Sequence, residues 1–445
     1  MRGIAIFLVV FSALPVTLFY PFVGVLLWAW ISFMSPHREA YDFATAFPFN
    51  FYVAVTTLAA WVMSTEPKTL PSQLLPGLMI AFAAFITLTT FTALGPEDAY
   101  ERWDTHIKTM ALALVVMGLV NSRLRVQALL WIIALSIGYY AIKGGGFVLF
   151  TGSTGSRIFG PQKSMIADNN NLSLAMVLTL PILNYLRVTS ANKYVKFVCW
   201  FSLVMTVIAI VGTYSRGGMI GLIVVGLAFL FLSKQKFTAI AVTAAVVTGI
   251  VTFAPAEWKE RMATTQSYEK DSSAKGRIEA WQTSWNLATD RPVLGGGFGA
   301  IEHKPTFVRY RPGAQAEHAR APHSIYFQVL GDHGFVGLAL YFAIIGAAMY
   351  NLFTVQRRTR GHEELAWAND LSRALLISLA GFLMAGTFLS MAYYDVFFCM
   401  VALSVCLKEM VRKTLDEQAP SEVAEPVGLI PARRGVVSAL SKERP

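Results

Sequence analysis

The sequence predicts an all-α, polytopic membrane protein with about 12 transmembrane helices and one large periplasmic loop subdomain. Three observations carry this. Apolar runs of roughly 17–25 residues, the length that crosses a bilayer as a helix, recur from end to end. Of the 445 residues 55% are apolar and only 14% charged, whereas soluble domains carry about a quarter charged residues. The runs are continuously apolar and do not alternate, which excludes a β-barrel.

Candidate spans run over 4–34, 49–64, 74–94, 107–120, 126–150, 170–187, 195–213, 217–233, 237–254, 324–354, 373–390 and 393–410. Pro15 and Pro21 make the first either one broken span or two short ones. The N-terminus has the charged and apolar parts of a signal peptide without a small-x-small cleavage site, so it reads as an uncleaved span. Arg123 and Arg125, then Arg187, Lys193 and Lys196, then Lys234 and Lys236, then Arg357, Arg358, Arg360 and Arg373 mark every second loop. The positive-inside rule places these loops in the cytoplasm. It thereby places 151–168, the turn at 213–218 and the loop 255–323 outside. The chain divides into N-terminal spans (1–254), the large outer loop (255–323), C-terminal spans (324–410) and a polar tail (411–445) that reads as cytoplasmic and disordered.

The net charge of +10 sits mostly at span ends, which argues against a nucleic-acid partner. Cys199, Cys399 and Cys406 all fall inside apolar runs, so neither a disulfide framework nor a cysteine metal site is indicated.

In "IVGTYSRGGMIGLIVV" (210–225), Arg216 opens a span on the outer side, where no topology signal is needed. Free backbone N–H groups and the helix dipole favour an anion at such a position. Gly217 and Gly218 would let a ligand approach the backbone. The alternative is an arginine snorkelling to the headgroups. Arg157 and Lys163 lie in the preceding outer loop, which enters a span through Asp168 and Asn169–Asn171, either a helix N-cap or a ligand group.

The loop 255–323 predicts an amphipathic helix over 276–288 with Arg277, Trp281 and Trp285 on one face. That face either rests at the membrane interface or packs the loop's own core. "GGGFG" (295–299) lacks the flanking strand and helix of a dinucleotide loop and reads as a turn. His323 stands where the loop re-enters the membrane. Gln328, Asp332 and His333 follow on the first turns of the span, either to orient His323 or to face water. The spacing of His303, His318, His323 and His333 fits no compact metal motif, and no metal or cofactor is expected.

"YSRGG", "GRIEAWQTSWNLATDRPVLGGGFG" and "HSIYFQVLGDHGFVG", in this order and sidedness, resemble the O-antigen ligase family of membrane glycosyltransferases over roughly 150–350. "PFVGVLLWAWISFMSPHREAYDFATAFPFN" with "GPQKSMIADNN" looks more specifically like the O-glycosylation ligases that accompany exosortase systems. The resemblance implies transfer of a glycan from an undecaprenyl diphosphate carrier to a hydroxyl acceptor at the outer face of the bacterial inner membrane. The acceptor would be protein Ser/Thr, lipid A-core or another glycan. Asp332 stands where the family favours an acidic residue, usually Glu.

The chemistry agrees with the residues. The leaving diphosphate gains negative charge, which bidentate guanidinium groups neutralise. Arg216, Arg157 and Arg277 are therefore assigned to the diphosphate. The attacking hydroxyl needs a proton acceptor poised near neutral pH, assigned to His323. Ser215, Gly217, Gly218, Gln328 and Asp332 are supporting candidates. Displacement without a covalent intermediate would invert the anomeric centre. The alternatives are a polysaccharide polymerase using the same donor and a lipid-linked glycan flippase or other transporter. Transport usually needs ionisable groups well inside spans, and Lys143 is nearly the only such residue.

Overall fold

The computed structural model describes residues 2–40, 43–152, 157–232, 272–313 and 315–418, and these residues are helical without strands. The chain opens with α1 (Arg2–Phe19) and α2 (Pro21–Met34), separated only by Tyr20. Pro21 takes the first helical position, where its missing N–H costs nothing, and so begins a new helix. Phe7 and Phe11 of α1 pack against Phe47, which follows α2, so the chain doubles back at Tyr20. The first candidate span is thus two helices.

Next come α3 (Phe49–Met63), α4 (Leu74–Phe91), α5 (Pro96–Leu119), α6 (Arg123–Thr151), α7 (Asn169–Thr189), α8 (Lys193–Gly212) and α9 (Arg216–Leu232). The segment 272–323, between α9 and α12, forms α10 (Ser272–Asp290) and α11 (Lys304–Tyr310). It is followed by α12 (Ile325–Arg358), α13 (Ala366–Gly386) and α14 (Asp395–Gln418). Seven of the described helices are long and apolar enough to cross a membrane, and α2, α3 and α9 are shorter apolar helices. The expected 12 spans are not reached among the described residues. The candidate at 107–120 is the apolar half of α5, whose other half carries Glu97, Asp98, Glu101, Arg102 and Asp104. The candidate at 237–254, with Lys234 and Lys236, lies outside the described residues. The polar tail was expected from 411, yet α14 continues to Gln418, with Arg412 bonded to Glu409 and Asp416. Residues 419–445 lie outside the description.

Capping residues start the helices that matter for the site. Ser122 accepts from the Arg125 N–H, Asp168 from the Asn170 N–H (2.8 Å), Asn192 from the Tyr194 N–H (2.8 Å) and Ser215 from the Gly218 N–H (3.1 Å). Each such cap contributes about 1 kcal/mol. α7 is the most buried of the seven long helices, packed against α6, α8, α9 and α13. Asn169 at its start donates to the Thr213 carbonyl (2.7 Å), tying it to the α8–α9 turn. One end of the bundle therefore carries the starts of α7, α9 and α12 and the ends of α8 and α13. Arg123, Arg187, Lys193, Arg357 and Arg358 lie at helix ends on the opposite side.

The glycines of α9 serve packing. A Cβ on Gly218 would stand 1.8 Å from Ser173 Oγ and 2.7 Å from Ser173 Cβ. A Cβ on Gly217 would meet the Ala385 carbonyl and Leu389, and one on Gly221 would meet Ala385 and Val177. Small residues let the three helices approach, as is common within bilayers.

Gly218→Ala should overpack this seam and cost about 1–3 kcal/mol. Gly226→Ala, with nothing within 4 Å of the added carbon, should be neutral or slightly stabilising. Thermal unfolding of both variants in detergent checks this, and equal effects would contradict the packing account.

Candidate active site

The site is built where the segment 272–323 meets the bundle. Ala280, Leu287, Ala300, Ile301, Phe307 and Tyr310 form a small core of that segment's own. Two polar ties add to it: Tyr310 donates to Asp290 (2.6 Å), and Asn286 donates to the Tyr310 carbonyl (3.0 Å). Trp281 and Trp285 face away from this core. Trp281 donates to the Pro322 carbonyl (2.7 Å) and stacks on Phe327, while the half-exposed Trp285 meets Phe335 edge-on. The amphipathic face thus lies along the first turns of α12, and of its two alternatives the packing of the tryptophans in the loop's own core is the one not found.

The glycine-rich turn locks this arrangement. The Gly296 and Gly297 N–H groups donate to the Gly331 and Asp332 carbonyls (2.9 and 2.8 Å), and Phe335 N–H donates to the Pro292 carbonyl (2.8 Å). α12 is broken at Gly334 (φ 66°), which frees these groups from the helix ladder. Gly295 has φ 60°, and a Cβ there would stand 2.5 Å from Gly334 N. The turn reading of 295–299 holds, and its glycines are dictated by backbone approach.

Three supporting candidates, Gln328, Asp332 and Ser215, and with them His333, bond to protein in this framework. Gln328 accepts from the Ala392 N–H (3.1 Å). Asp332 accepts from the Gly299 N–H (3.0 Å) and the Tyr393 hydroxyl (3.1 Å). His333 pairs through Nδ1 with the Thr89 hydroxyl (2.7 Å). Ser215 caps α9. Facing water is corrected for Asp332 and His333, which are buried; Gln328, Asp332 and His333 tie α12 to the segments beside it. Gly217 and Gly218 are likewise covered by α13 and Ser173, so the backbone is approached there by protein.

His323 has φ 48°, a conformation rare for a non-glycine residue, and its N–H donates to Ser390 Oγ (2.8 Å). Ser390 belongs to the loop 387–394 between α13 and α14, in which Leu389, Met391, Ala392, Tyr393 and Tyr394 are buried. Leu389 lies against Gly217, beside Arg216. One loop therefore brings the start of α9 and the start of α12 together, and nothing in its composition announces that. Tyr214, next to the α9 cap, and Lys163 also have left-handed backbone (φ 56° and 59°). Together with His323 they concentrate backbone strain around this end of the bundle.

The charges around the imidazole are Arg277, Asp168, Glu302 and Arg320. Burial, and then Arg277, hold the His323 imidazole below its ordinary value, and Arg320 acts in the same direction while Asp168 and Glu302 oppose it. His323 is therefore neutral at pH 7, the form that accepts a proton. Glu302 is itself held by Arg102 in two 2.8 Å bonds, which sequence reading missed because the partners are 200 residues apart. Arg157 is exposed. Its neighbour Ile158 donates to the Gly212 carbonyl (3.4 Å), which puts Arg157 at the same end of the bundle, near the α8–α9 turn.

The other histidines go elsewhere. His303 packs on Gly95 and bonds Thr306 (2.8 Å), and His318 faces Glu279 (3.8 Å). Among the described residues no three His, Cys, Asp or Glu side chains come together as a metal site. Lys143, the one intramembrane candidate for transport, pairs with Glu39 (2.9 Å).

Residues 201–342 match the family model described as O-antigen ligase, and residues 1–191 match a family of unknown function, DUF5935. The ligase match contains Arg216, Arg277 and His323, and Arg157 falls in the other. No curated protein matches the chain. The helices suggest a multi-pass membrane protein, and its residues 201–342 are similar to the O-antigen ligase family.

Nuclear magnetic resonance titration of histidine-labelled protein, with His323→Gln to assign the signal, should find His323 titrating below 6.5. Arg277→Gln should move that midpoint upward, because removing a neighbouring cation stabilises the charged imidazole. An unmoved midpoint would remove Arg277 from the surroundings of His323.

Proposed function

We propose that the protein is a glycosyltransferase that moves a glycan en bloc from undecaprenyl diphosphate to a hydroxyl acceptor at the periplasmic face of the bacterial inner membrane. The observation that carries this reading is the neutral His323 set among Arg277 and Arg320, with its backbone anchored on the loop that also packs beside Arg216. In the ligase-like domain these are the residue types that the chemistry requires.

The acceptor oxygen attacks the anomeric carbon and passes its proton to the His323 imidazole. The bond from that carbon to the diphosphate oxygen breaks, and the electron pair leaves with the diphosphate. Arg216, Arg277 and Arg157 neutralise the charge that develops there, a task for which preorganised guanidinium groups suffice. With no covalent enzyme intermediate, the configuration at the anomeric carbon inverts. The acceptor is a protein or lipid A-core hydroxyl. A polymerase would share this donor chemistry and differ in the acceptor alone.

Loss of the base in His323→Ala should lower transfer on the order of 10²–10⁴-fold while insertion and donor binding persist. Near-normal turnover would remove His323 from the reaction. Arg216→Lys should also fail, because a point charge does not replace a bidentate fork. Full activity with lysine would instead make Arg216 a headgroup-level cation. The acid limb of the rate in wild type should lie below pH 6.5, following the lowered His323 value.

A further inference from the structure

Arg320 was singled out by no motif, yet it lies within the same group of charges. Its guanidinium is laid over the buried Gly276: a Cβ there would stand 2.3 Å from Nη1, 2.7 Å from Cζ and 3.1 Å from Nε. Gly276 precedes Arg277 on α10, so the absent side chain at 276 makes room for a second guanidinium beside the first. Nε of Arg320 donates to the His318 carbonyl (3.1 Å), which fixes the plane of the group and leaves its terminal nitrogens to other partners. Among the described residues no carboxylate forms an ion pair with it. The nearby acids are engaged: Glu279 with Arg311 and His318, Glu302 with Arg102, and Asp168 with the start of α7.

We propose that Arg320 is a further donor-binding residue, presenting its terminal nitrogens to a phosphate of the diphosphate beside Arg277. This rests on the glycosyl-transfer reading above. A diphosphate offers more acceptor oxygens than one guanidinium can engage, and planar forks suit them. Gly276 is then a specificity element of the site, because any side chain there would displace Arg320 without removing its charge.

The test is calorimetric binding of farnesyl diphosphate, a soluble polyprenyl diphosphate, to the purified full-length protein. The variants are Arg320→Ala, Gly276→Ala and, as reference, Arg216→Ala, with unfolding temperature measured for each. Loss of a charge-assisted contact predicts about 10–100-fold weaker binding for Arg320→Ala. Gly276→Ala should weaken binding in the same direction with an unchanged unfolding temperature, because the group it displaces is the far end of a flexible side chain. If Arg320→Ala does not fold, Gly276→Ala decides alone. Wild-type affinity in Gly276→Ala and Arg320→Ala with weakened binding in Arg216→Ala would overturn the role of Arg320 and leave the donor reading standing. Wild-type affinity in all three would overturn both.

Discussion

The site depends on a short set of backbone hydrogen bonds between the glycine turn 295–299 and the broken start of α12. An unbroken helix would keep the Gly331 and Asp332 carbonyls for its own ladder. The left-handed Gly334 interrupts that ladder, and the Gly296 and Gly297 N–H groups take the carbonyls instead. The segment 272–323, which carries Arg277 and Arg320, is thereby fixed to the helix that follows His323. The irregular backbone here is tolerated because protein buries it and satisfies its polar groups.

Second to this is the loop 387–394. It accepts the His323 N–H through Ser390, donates from Ala392 to Gln328, and sends the Tyr393 hydroxyl to Asp332. Leu389 of the same loop meets α9 at Gly217. The polar side chains Gln328, Asp332 and His333 therefore serve position, while the proposed function assigns its chemistry to the charged groups around His323. The division has a physical basis, because a buried polar group must be bonded to protein or it destabilises the fold. Arginines gathered near an imidazole hold it neutral, and they also supply the positive charge that an anionic leaving group needs.

Much of the site was legible in the sequence because its signals are local. Asp168 does cap α7, Arg216 does open α9, and the outer helix predicted over 276–288 forms over Ser272–Asp290. The turn reading of "GGGFG" followed from the missing strand and helix. What was not legible depends on contacts distant in sequence. Gly217 and Gly218 looked like ligand approaches, since a sequence cannot show that Ser173 and Ala385 occupy the space beside them. Gln328 and Asp332 fell on the face that packs against 391–393 and 299, which helical spacing after His323 does not reveal. The pair of Arg102 with Glu302 and the position of Arg320 over Gly276 have no pattern to find. Apolar length alone registers neither the break at Pro21, which makes two helices of one expected span, nor the charged half of α5, which an apolar window at 107–120 hides.

The central claim is that this end of the bundle transfers a lipid-linked glycan to a hydroxyl. Its most direct measurement is product formation by the purified protein supplied with undecaprenyl-diphosphate-linked glycan from its own host. Protein, lipid A-core and glycan acceptors would be offered in parallel, in the presence of EDTA. The account predicts a glycosylated product with one acceptor class and release of undecaprenyl diphosphate, unaffected by the chelator. No product with any acceptor, from a donor shown to be competent with a known transferase, would contradict it and favour a transport or assembly role.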